Sequence, residues 1–329
     1  MGKYEIDSME NFVNIFKERS IKPLDFAREK IMKETFKSET LREAARYYLL
    51  NWKEYTHVGI ASLASEAVGA DPDDLTEAKS GVFALNASFD IHDDIIDCSK
   101  TKHGKLTVFG KYGKEIALLL GDLLLIKGFE WLCKPFEASS SDDEGKLLAR
   151  LGKLFLELGD AHACEIALRG RWDVSAEEYL RVLEMKAAAI EADTYIGAMI
   201  GGGESYAEVL SSYGRDLGVL LALREEFIDV FESRELQNRI ANRLLPLPML
   251  YAFQDANAKK EILSVVSRKR ILSKDAETVV NIVMQTGPVT VLKSQMKERI
   301  NKATAFLNAL HDPKVQRLRQ LVRVVEEDL

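Results

Sequence analysis

The sequence predicts an all-α protein, and three observations support this prediction. Apolar residues recur with helical spacing, and one face of residues 41–52 collects Leu41, Ala44, Ala45, Tyr48 and Leu49. Proline is scarce, at 7 of 329 residues, and no run of alternating apolar and polar residues is typical of a strand. The composition is 47% hydrophobic and 29% charged, which supplies a sizeable core and argues against wholesale disorder.

Loop and cap signals divide the chain into successive helices. The predicted breaks are, in order, GADPDDL (69–75), SSSDDEG (139–145), GGGES (201–205), LPLP (245–248) and QTGPV (285–289). Ser175 is followed three residues later by Glu178, a spacing that predicts an N-cap with a capping box. Because no internal repeat and no long linker is present, we expect one domain over residues 1–329.

Charge and cysteine usage limit the class of function. The formal net charge of -7 argues against bulk binding to nucleic acid or to anionic membranes. The cysteines, Cys98, Cys133 and Cys164, are widely spaced and lack zinc-ligand spacing, so we expect a reduced, cytoplasmic protein. The apolar run IALLLGDLLLI at 116–126 is interrupted and too short to cross a bilayer, so no transmembrane segment is expected.

One stretch, FDIHDDIIDCSKTKHGKLTVFGKYG at 89–113, places Asp93, Asp94 and Asp97 in an apolar run. On a helix, Asp93 and Asp97 share a face, with Asp94 beside them. Clustered carboxylates repel one another unless a cation lies between them, and oxygen ligands suit Mg²⁺, which also binds substrate phosphates. A basic tract follows at once: Lys100, Lys102, His103 and Lys105. The stretch indicates a diphosphate site or, alternatively, a solvated acidic helix end with a basic loop.

A second acidic cluster lies in LLALREEFIDVF at 220–231, where Glu225, Glu226 and Asp229 repeat the spacing of the first. We expect Glu225 and Asp229 to share a face and Glu226 to be the more exposed. Two such helices facing each other would surround a polyphosphate from both sides. An ordinary amphipathic helix is the alternative interpretation.

With both clusters considered, residues 30–250 resemble the trans-isoprenyl diphosphate synthase (polyprenyl synthetase) family. The shared segments occur in the family's order: LREAARYYLL, SEAVGADPDDL, HDDIIDCSKTKHGKLTVFGKYG, LLLGDLLL, SAEEYLRVLEMK, YGRDLGVLL and EEFID. The resemblance implies an isoprenoid-synthase-type helical bundle with a central cavity. Residues 251–329 would then supply C-terminal helices that complete the bundle or a dimer contact.

The resemblance also implies a site. In the family, Mg²⁺ ions held by two acidic motifs bind the diphosphate of an allylic prenyl substrate and stabilise its departure. Carried over, the metal ligands are Asp93, Asp97, Glu225 and Asp229, with Asp94 in support. The implied diphosphate contacts are Lys102, Lys186, Arg239 and Arg243.

The chain departs from the family where the second substrate, isopentenyl diphosphate, would bind. In NWKEYT, Lys53 remains, but Thr56 replaces an arginine and Glu54 adds a negative charge. Asn86 replaces a histidine, and His103 replaces the second arginine of an RRG segment. None of these reproduces the bidentate grip of arginine on phosphate, so Lys53 and His103 are the remaining candidates for this substrate.

Phe89 lies one turn before the first motif, where the resemblance places the floor of the chain cavity, with Leu85 and Val82 deeper. Core packing is the better interpretation for Leu85 and Val82, whereas Phe89 fits either role. A phenylalanine there would shorten the product or favour a medium-length substrate, and we expect a C15 to C20 substrate.

Three functions fit this pattern. The first is an atypical trans-prenyltransferase that passes an allylic cation to isopentenyl diphosphate or another acceptor. The second is a class I terpene cyclase or lyase, and the third is a non-catalytic subunit of a heteromeric synthase. The complete DDxxD of the first motif favours an enzyme, whereas the altered EExxD of the second favours the subunit. We favour the prenyltransferase, as a homodimer or a heteromer with a homologous subunit.

Overall fold

The computed structural model describes residues 9–53, 55–137, 142–241, 243–268, 272–310 and 314–327, and it confirms the predicted all-α class. The helices are α1 (Met9–Lys33), α2 (Glu39–Asn51), α3 (Thr56–Val68), α4 (Thr76–Ile96), α5 (Val108–Tyr112), α6 (Lys114–Cys133), α7 (Asp143–Leu168), α8 (Ala176–Lys186), α9 (Ala188–Ile200), α10 (Ala207–Phe231), α11 (Ser233–Ala241), α12 (Leu247–Ala252), α13 (Ala256–Val266), α14 (Ser273–Gln285), α15 (Pro288–Phe306) and α16 (Gln316–Glu327). Short 3₁₀ turns cover Lys134–Phe136, Glu204–Tyr206 and Leu307–Ala309.

A small hairpin follows α4 and was not predicted. Strands β1 (Thr101–Lys102) and β2 (Lys105–Leu106) pair antiparallel around His103 and Gly104. Both turn residues have positive φ, at 51° and 76°, as a tight two-residue hairpin requires. Each strand is two residues long, too short for an alternating pattern to be recognised in the sequence.

The predicted caps and breaks mostly coincide with the helix ends. The Ser175 hydroxyl accepts a hydrogen bond from the Glu178 backbone N–H at 3.0 Å, which confirms the N-cap of α8. Gly69, with φ of 114°, ends α3 in the first predicted break. The second break is shorter than predicted: residues 138–141 lie outside the described part, and α7 begins at Asp143. Acidic residues stabilise the first turn of a helix, which explains the early start.

The interior helices place the two acidic clusters. The first cluster lies on α4 and the second on α10, while α3 and α9 pack between them as successive neighbours. Gly197 of α9 allows this packing, because a Cβ atom there would collide with the Ala61 carbonyl of α3. Helix α15 packs against α10, and α16 packs against α15, so the C-terminal helices cover the outer side of α10. No helix of the described residues is long and apolar enough to span a membrane.

Candidate active site

A cavity of about 630 Å³ lies beside the first acidic cluster, and α2, α4 and the β1–β2 hairpin contribute to its wall. It brings together five of the predicted site residues: Lys53, Phe89, Asp93, Lys102 and His103. The cavity wall contains apolar side chains, among them Leu158 and Ala189, as well as these charged groups. The cavity therefore offers both kinds of surface that a prenyl diphosphate presents.

The end of α4 positions the first motif. Asp97 caps the helix, and its N–H donates to the Asp93 carbonyl at 2.8 Å, which keeps both residues at one end of the helix. The Asp93 side chain is 45% exposed, and its Oδ1 lies 3.5 Å from Nδ1 of His162. Burial raises the pKa of Asp93, and the nearby Asp97 charge raises it further. The Asp97 carboxylate forms an ion pair with Arg169.

Asp94, predicted in a supporting role, points away from solvent and is only 7% exposed. Burial raises the pKa of Asp94 to about 7, with a further contribution from the Asp90 charge. The described cavity wall includes Asp90 and Asp93 but not Asp94. Its place in the structure is thus behind the site rather than within it.

Lys102 lies on the hairpin and forms an ion pair with Asp90 across the cavity wall. Burial lowers the pKa of Lys102, but the Asp90 carboxylate outweighs burial, so the pKa is raised and the ammonium stays charged. Asp90 also accepts from the Tyr48 hydroxyl at 3.3 Å. His103 is exposed, and its ring centroid lies 6.4 Å from that of Trp52.

The basic end of α8 is also held in place. Lys186, the last residue of α8, donates to Oε1 of Glu165 at 2.6 Å. Glu165 is 9% exposed at its side chain, so this pair is largely shielded from solvent.

The site residue Glu54 lies outside the described residues, and its predicted effect on the second substrate stays a prediction. Thr56 begins α3, and Asn86 lines the cavity.

The second motif has a different environment from the one predicted. Glu226 is buried, with 4% of its side chain exposed, whereas Glu225 is 66% exposed. The expectation that Glu226 is the more exposed is therefore wrong. Glu226 accepts hydrogen bonds from the Tyr179 hydroxyl at 2.9 Å, from Arg239 at 3.1 Å and from the Leu247 N–H at 2.6 Å. These partners come from α8, α11 and α12, which explains why it turns inward.

Arg239 links Glu226 to Asp229, the third acidic side chain of this motif. Its guanidinium contacts Asp229 at 3.2 Å as well as Glu226 and Tyr179, and only 19% of its side chain is exposed. Burial lowers the pKa of Arg239, but the Glu226 charge outweighs it and the pKa is raised overall. Burial raises the pKa of Asp229 to about 6 even with Arg239 beside it. Arg243 is exposed after α11, and its carbonyl accepts from the Gly170 N–H at 2.8 Å.

The two motifs differ as candidate magnesium sites. In the described part of the chain, no three His, Cys, Asp or Glu side chains already form a group that could hold a metal ion. The first motif nevertheless has a suitable donor set, because Asp93 and Asp97 are oxygen donors whose mutual repulsion a cation relieves. In the second motif, Asp229 is paired with Arg239, as Asp97 is with Arg169. The first carboxylates differ in exposure, because the Glu225 side chain is 66% exposed and the Asp93 side chain 45%.

Comparison with known proteins identifies the family. Residues 38–283 match the polyprenyl synthetase family, which is most of the chain. The chain belongs to the polyprenyl synthetase family. A short chain isoprenyl diphosphate synthase from Methanothermobacter thermautotrophicus is 27% identical over 292 residues, which cover 88% of this chain and 86% of that protein. The chloroplastic geranylgeranyl pyrophosphate synthase 12 of Arabidopsis thaliana is 30% identical over 261 residues, 74% of this chain and 71% of that protein.

Solved structures agree on the fold. The geranylgeranyl pyrophosphate synthetase from Pyrococcus horikoshii Ot3 matches with a TM-score of 0.83 at 24% identity, covering 97% of this chain and 99% of that one. The predicted isoprenoid-synthase-type fold is thereby confirmed. Family and named relatives together make this polyprenyl synthetase a prenyltransferase, and they do not favour the cyclase or the non-catalytic subunit.

Several groups in the polyprenyl synthetase site were missed in the sequence. His162 and Arg169 on and just after α7 contact Asp93 and Asp97, and the spacing of His162, Glu165 and Arg169 puts them on one helical face. That spacing was a usable signal. Phe155 packs against Phe89 with a centroid distance of 5.0 Å, and no local pattern distinguishes it from an ordinary core residue.

Proposed function

We propose that this polyprenyl synthetase joins an allylic prenyl diphosphate to isopentenyl diphosphate and releases inorganic diphosphate. The observation that supports this most is the cavity itself, in which Asp93 and Lys102 share one wall with Phe89 and Leu158. A charged head group and an apolar tail can be accommodated together there. The relatives named as isoprenyl diphosphate synthases support the same reaction.

Asp93 and Asp97 would hold Mg²⁺ as it arrives with the substrate diphosphate. When bound, Mg²⁺ would neutralise charge on the departing diphosphate. Arg169 contacts Oδ1 of Asp97, so Oδ2 is the oxygen that this residue would offer to Mg²⁺. Arg169, held beside Asp97, would be a further donor for the same diphosphate, for which arginine is a bidentate donor.

Two ammonium groups complete the diphosphate end in this proposal. Lys102 is kept charged by Asp90 and faces the cavity. Lys186, at the end of α8, is held in place by its hydrogen bond to Glu165. Each would bind a phosphate oxygen as a point charge. Arg243, exposed after α11, is the candidate for closing over the diphosphate from the opposite side, whereas Arg239 is committed to Glu226 and Asp229.

The apolar end of the cavity supports a short product. Beyond Phe89 lies a pocket of only about 10 Å³, whose wall includes Leu85, Phe155, Leu158 and Ile196. Phe155 packs edge-on against both Phe89, at 5.0 Å, and Phe129, at 6.1 Å between centroids. In this proposal the aromatic group limits the length of the growing chain. We therefore assign the C15 to C20 length to the product rather than to the first substrate.

Replacing Phe155 tests the assignment of chain length. The F155A variant opens space beneath Phe89, so we expect products longer by at least one C5 unit than those of the wild type. Product lengths would be compared by chromatography with geranyl and farnesyl diphosphate as primers. V209A on α10 is a control outside this pocket. An unchanged product range in F155A would contradict the role of the aromatic group.

We propose further that the protein assembles as a dimer. Large apolar side chains remain exposed on α6 and α7: Leu118, Leu119, Ile126 and Leu156. Ile126 and Leu156 are 65% and 69% exposed, which is unfavourable for a monomer in water. Light scattering on the purified chain would give about twice the mass of 37.0 kDa. A monomer at micromolar concentration would contradict this assignment.

The reaction is tested by supplying allylic diphosphates with Mg²⁺, with and without isopentenyl diphosphate. We expect prenyl diphosphates lengthened by C5 units, formed only when both substrates are present. Hydrocarbon or alcohol products without isopentenyl diphosphate would indicate a cyclase instead. If no product forms with both substrates, and product appears only when a homologous partner protein is added, the chain is a subunit of a heteromeric synthase.

A further inference from the structure

The β1–β2 hairpin presents two lysines to the cavity, and only one of them has a role in the scheme above. Its register pairs Lys102 directly with Lys105, and Thr101 with Leu106. Residues that face each other across an antiparallel pair project from the same face, with Cβ atoms about 4.5–5.5 Å apart. Both lysines line the cavity wall, in agreement with this register.

The two ammonium groups differ in their partners. Lys102 forms an ion pair with Asp90 of α4. Lys105 is exposed, and among the residues that the structure describes no carboxylate forms an ion pair with it. Like charges directly opposite each other destabilise a strand pair, and a bound anion would remove this repulsion. The two lysines therefore retain one positive charge beyond the one that Asp90 neutralises.

The two strands of the hairpin are held by different helices. The ion pair of Lys102 with Asp90 attaches β1 to α4. The Leu106 carbonyl accepts from the Tyr47 hydroxyl at 2.7 Å, which attaches β2 to α2. Lys105 precedes Leu106 on β2 and so lies on the α2 side of the hairpin. The hairpin thus directs one lysine towards the first acidic motif and the other towards α2.

The end of α2 adds further cationic and aromatic groups to this side of the cavity. Lys53 follows α2, and the Trp52 ring lies 6.4 Å from the ring of His103 in the hairpin turn, centroid to centroid. These three residues line the cavity together with Lys105. The carboxylates of the described cavity wall all belong to α4. The α2 side is therefore the part of the wall that suits a second anion.

We propose that Lys105 binds the diphosphate of isopentenyl diphosphate on the α2 side of the cavity, together with Lys53 and His103. This inference rests on the proposed function. The allylic diphosphate would lie with Mg²⁺ and Lys102 at the first acidic motif, whereas protein groups alone would hold the second diphosphate. The two polyanions are then kept on opposite sides of one hairpin. Lys105 thereby supplies a charge on this side, where Thr56 and His103 leave the chain without the arginines of its family.

Substitution of Lys105 tests this assignment, with K100Q as the control from the same basic tract. Lys100 is exposed and is not part of the described cavity wall. A charge-assisted contact to phosphate is strong, so K105Q should raise KM for isopentenyl diphosphate about tenfold or more. KM for the allylic diphosphate and kcat should stay within about threefold of wild type, because only ground-state binding of one substrate is lost. K100Q should leave all three values unchanged.

The conservative variant separates a binding role from a structural one. K105R keeps the charge and adds a bidentate donor for phosphate, so KM for isopentenyl diphosphate should return to the wild-type value or fall below it. An unchanged KM in K105Q would overturn the proposal, since Lys105 would then be an ordinary solvated lysine. A rise in KM for the allylic diphosphate instead, or an equal rise for both substrates, would also overturn it.

Binding measured without turnover separates this site from the metal site. In EDTA the carboxylates of the first motif repel a diphosphate, so calorimetry with isopentenyl diphosphate reports binding to the α2 side. We expect K105Q to weaken this binding and K100Q to leave it unchanged. A wild type that does not bind isopentenyl diphosphate in EDTA would overturn the proposal. A wild type that binds it through Lys105 but makes no elongated product would contradict the proposed function and support the Lys105 site.

Discussion

The two acidic motifs share one spacing and have opposite surroundings. In both, carboxylates stand at i, i+1 and i+4 of an otherwise apolar helix. On α4, Asp93 lines the cavity and lies 3.5 Å from His162, and Asp97 forms an ion pair with Arg169. On α10, the middle carboxylate, Glu226, is buried under α8 and α12 and held by Arg239. Identical spacing therefore does not determine whether a cluster presents its oxygens to a substrate or to the protein.

Partners distant in sequence cause this difference. Arg239 follows Glu226 by 13 residues and approaches it from α11. Among the described residues, no buried arginine bonds to the middle carboxylate of the first motif, Asp94, and burial raises the pKa of Asp94. In our account the first motif binds the metal and diphosphate, while the second motif holds α8, α10, α11 and α12 together. The predictions below test this division.

Removing divalent metal gives the largest expected effect. EDTA should abolish product formation, and Mg²⁺ should restore it, because the diphosphate cannot leave without charge neutralisation. The melting temperature should stay unchanged, because Tyr179, Arg239 and the Leu247 N–H already bond to Glu226. Thermal unfolding followed by circular dichroism, with and without EDTA, checks this. A large fall in the melting temperature of the D93A variant on adding EDTA would show that metal also binds away from the first motif.

Breaking the buried Glu226–Arg239 pair should mainly lower the free energy of unfolding. In E226A, the guanidinium of Arg239 and the Leu247 N–H lose their principal acceptor. Removing one partner of a buried pair costs about 3–5 kcal/mol of unfolding free energy. E225A removes an exposed carboxylate and should change that free energy by less than about 0.5 kcal/mol. Urea denaturation of both variants measures the difference, and equal losses would contradict the assignment of Glu226 as the structural member.

A smaller effect concerns the pH dependence of Asp229. Burial raises its pKa to about 6 from 3.8, so its charged form is less stable in the folded protein than in the unfolded chain. The penalty is absent below the unfolded value of 3.8, develops as the pH rises towards about 6, and is complete above that pH. D229N avoids it, so its melting temperature relative to wild type should increase between pH 4 and pH 7. A constant difference across this range would show that Arg239 fully compensates the charge.

The sequence was a good guide to the fold and a partial guide to the site. Helical periodicity, the Ser175 cap and the glycine breaks are local signals, and they located the helices. The DDxxD spacing placed Asp93 and Asp97 at one helix end for the same reason. The orientation of Glu226 and the packing of Phe155 against Phe89 depend on helices that meet only in the folded chain, so local spacing carried no information about them.

The most direct test of the account compares D93A with E225A in one assay. Each variant removes the first carboxylate of its motif. We expect D93A to lower kcat about 10³-fold or more, because several kcal/mol of charge stabilisation depends on that ligand. E225A should retain kcat within about tenfold of wild type. Diphosphate release with both substrates and saturating Mg²⁺ is the measurement. Equal, large losses would show that both motifs bind the metal, and would contradict the division proposed between them.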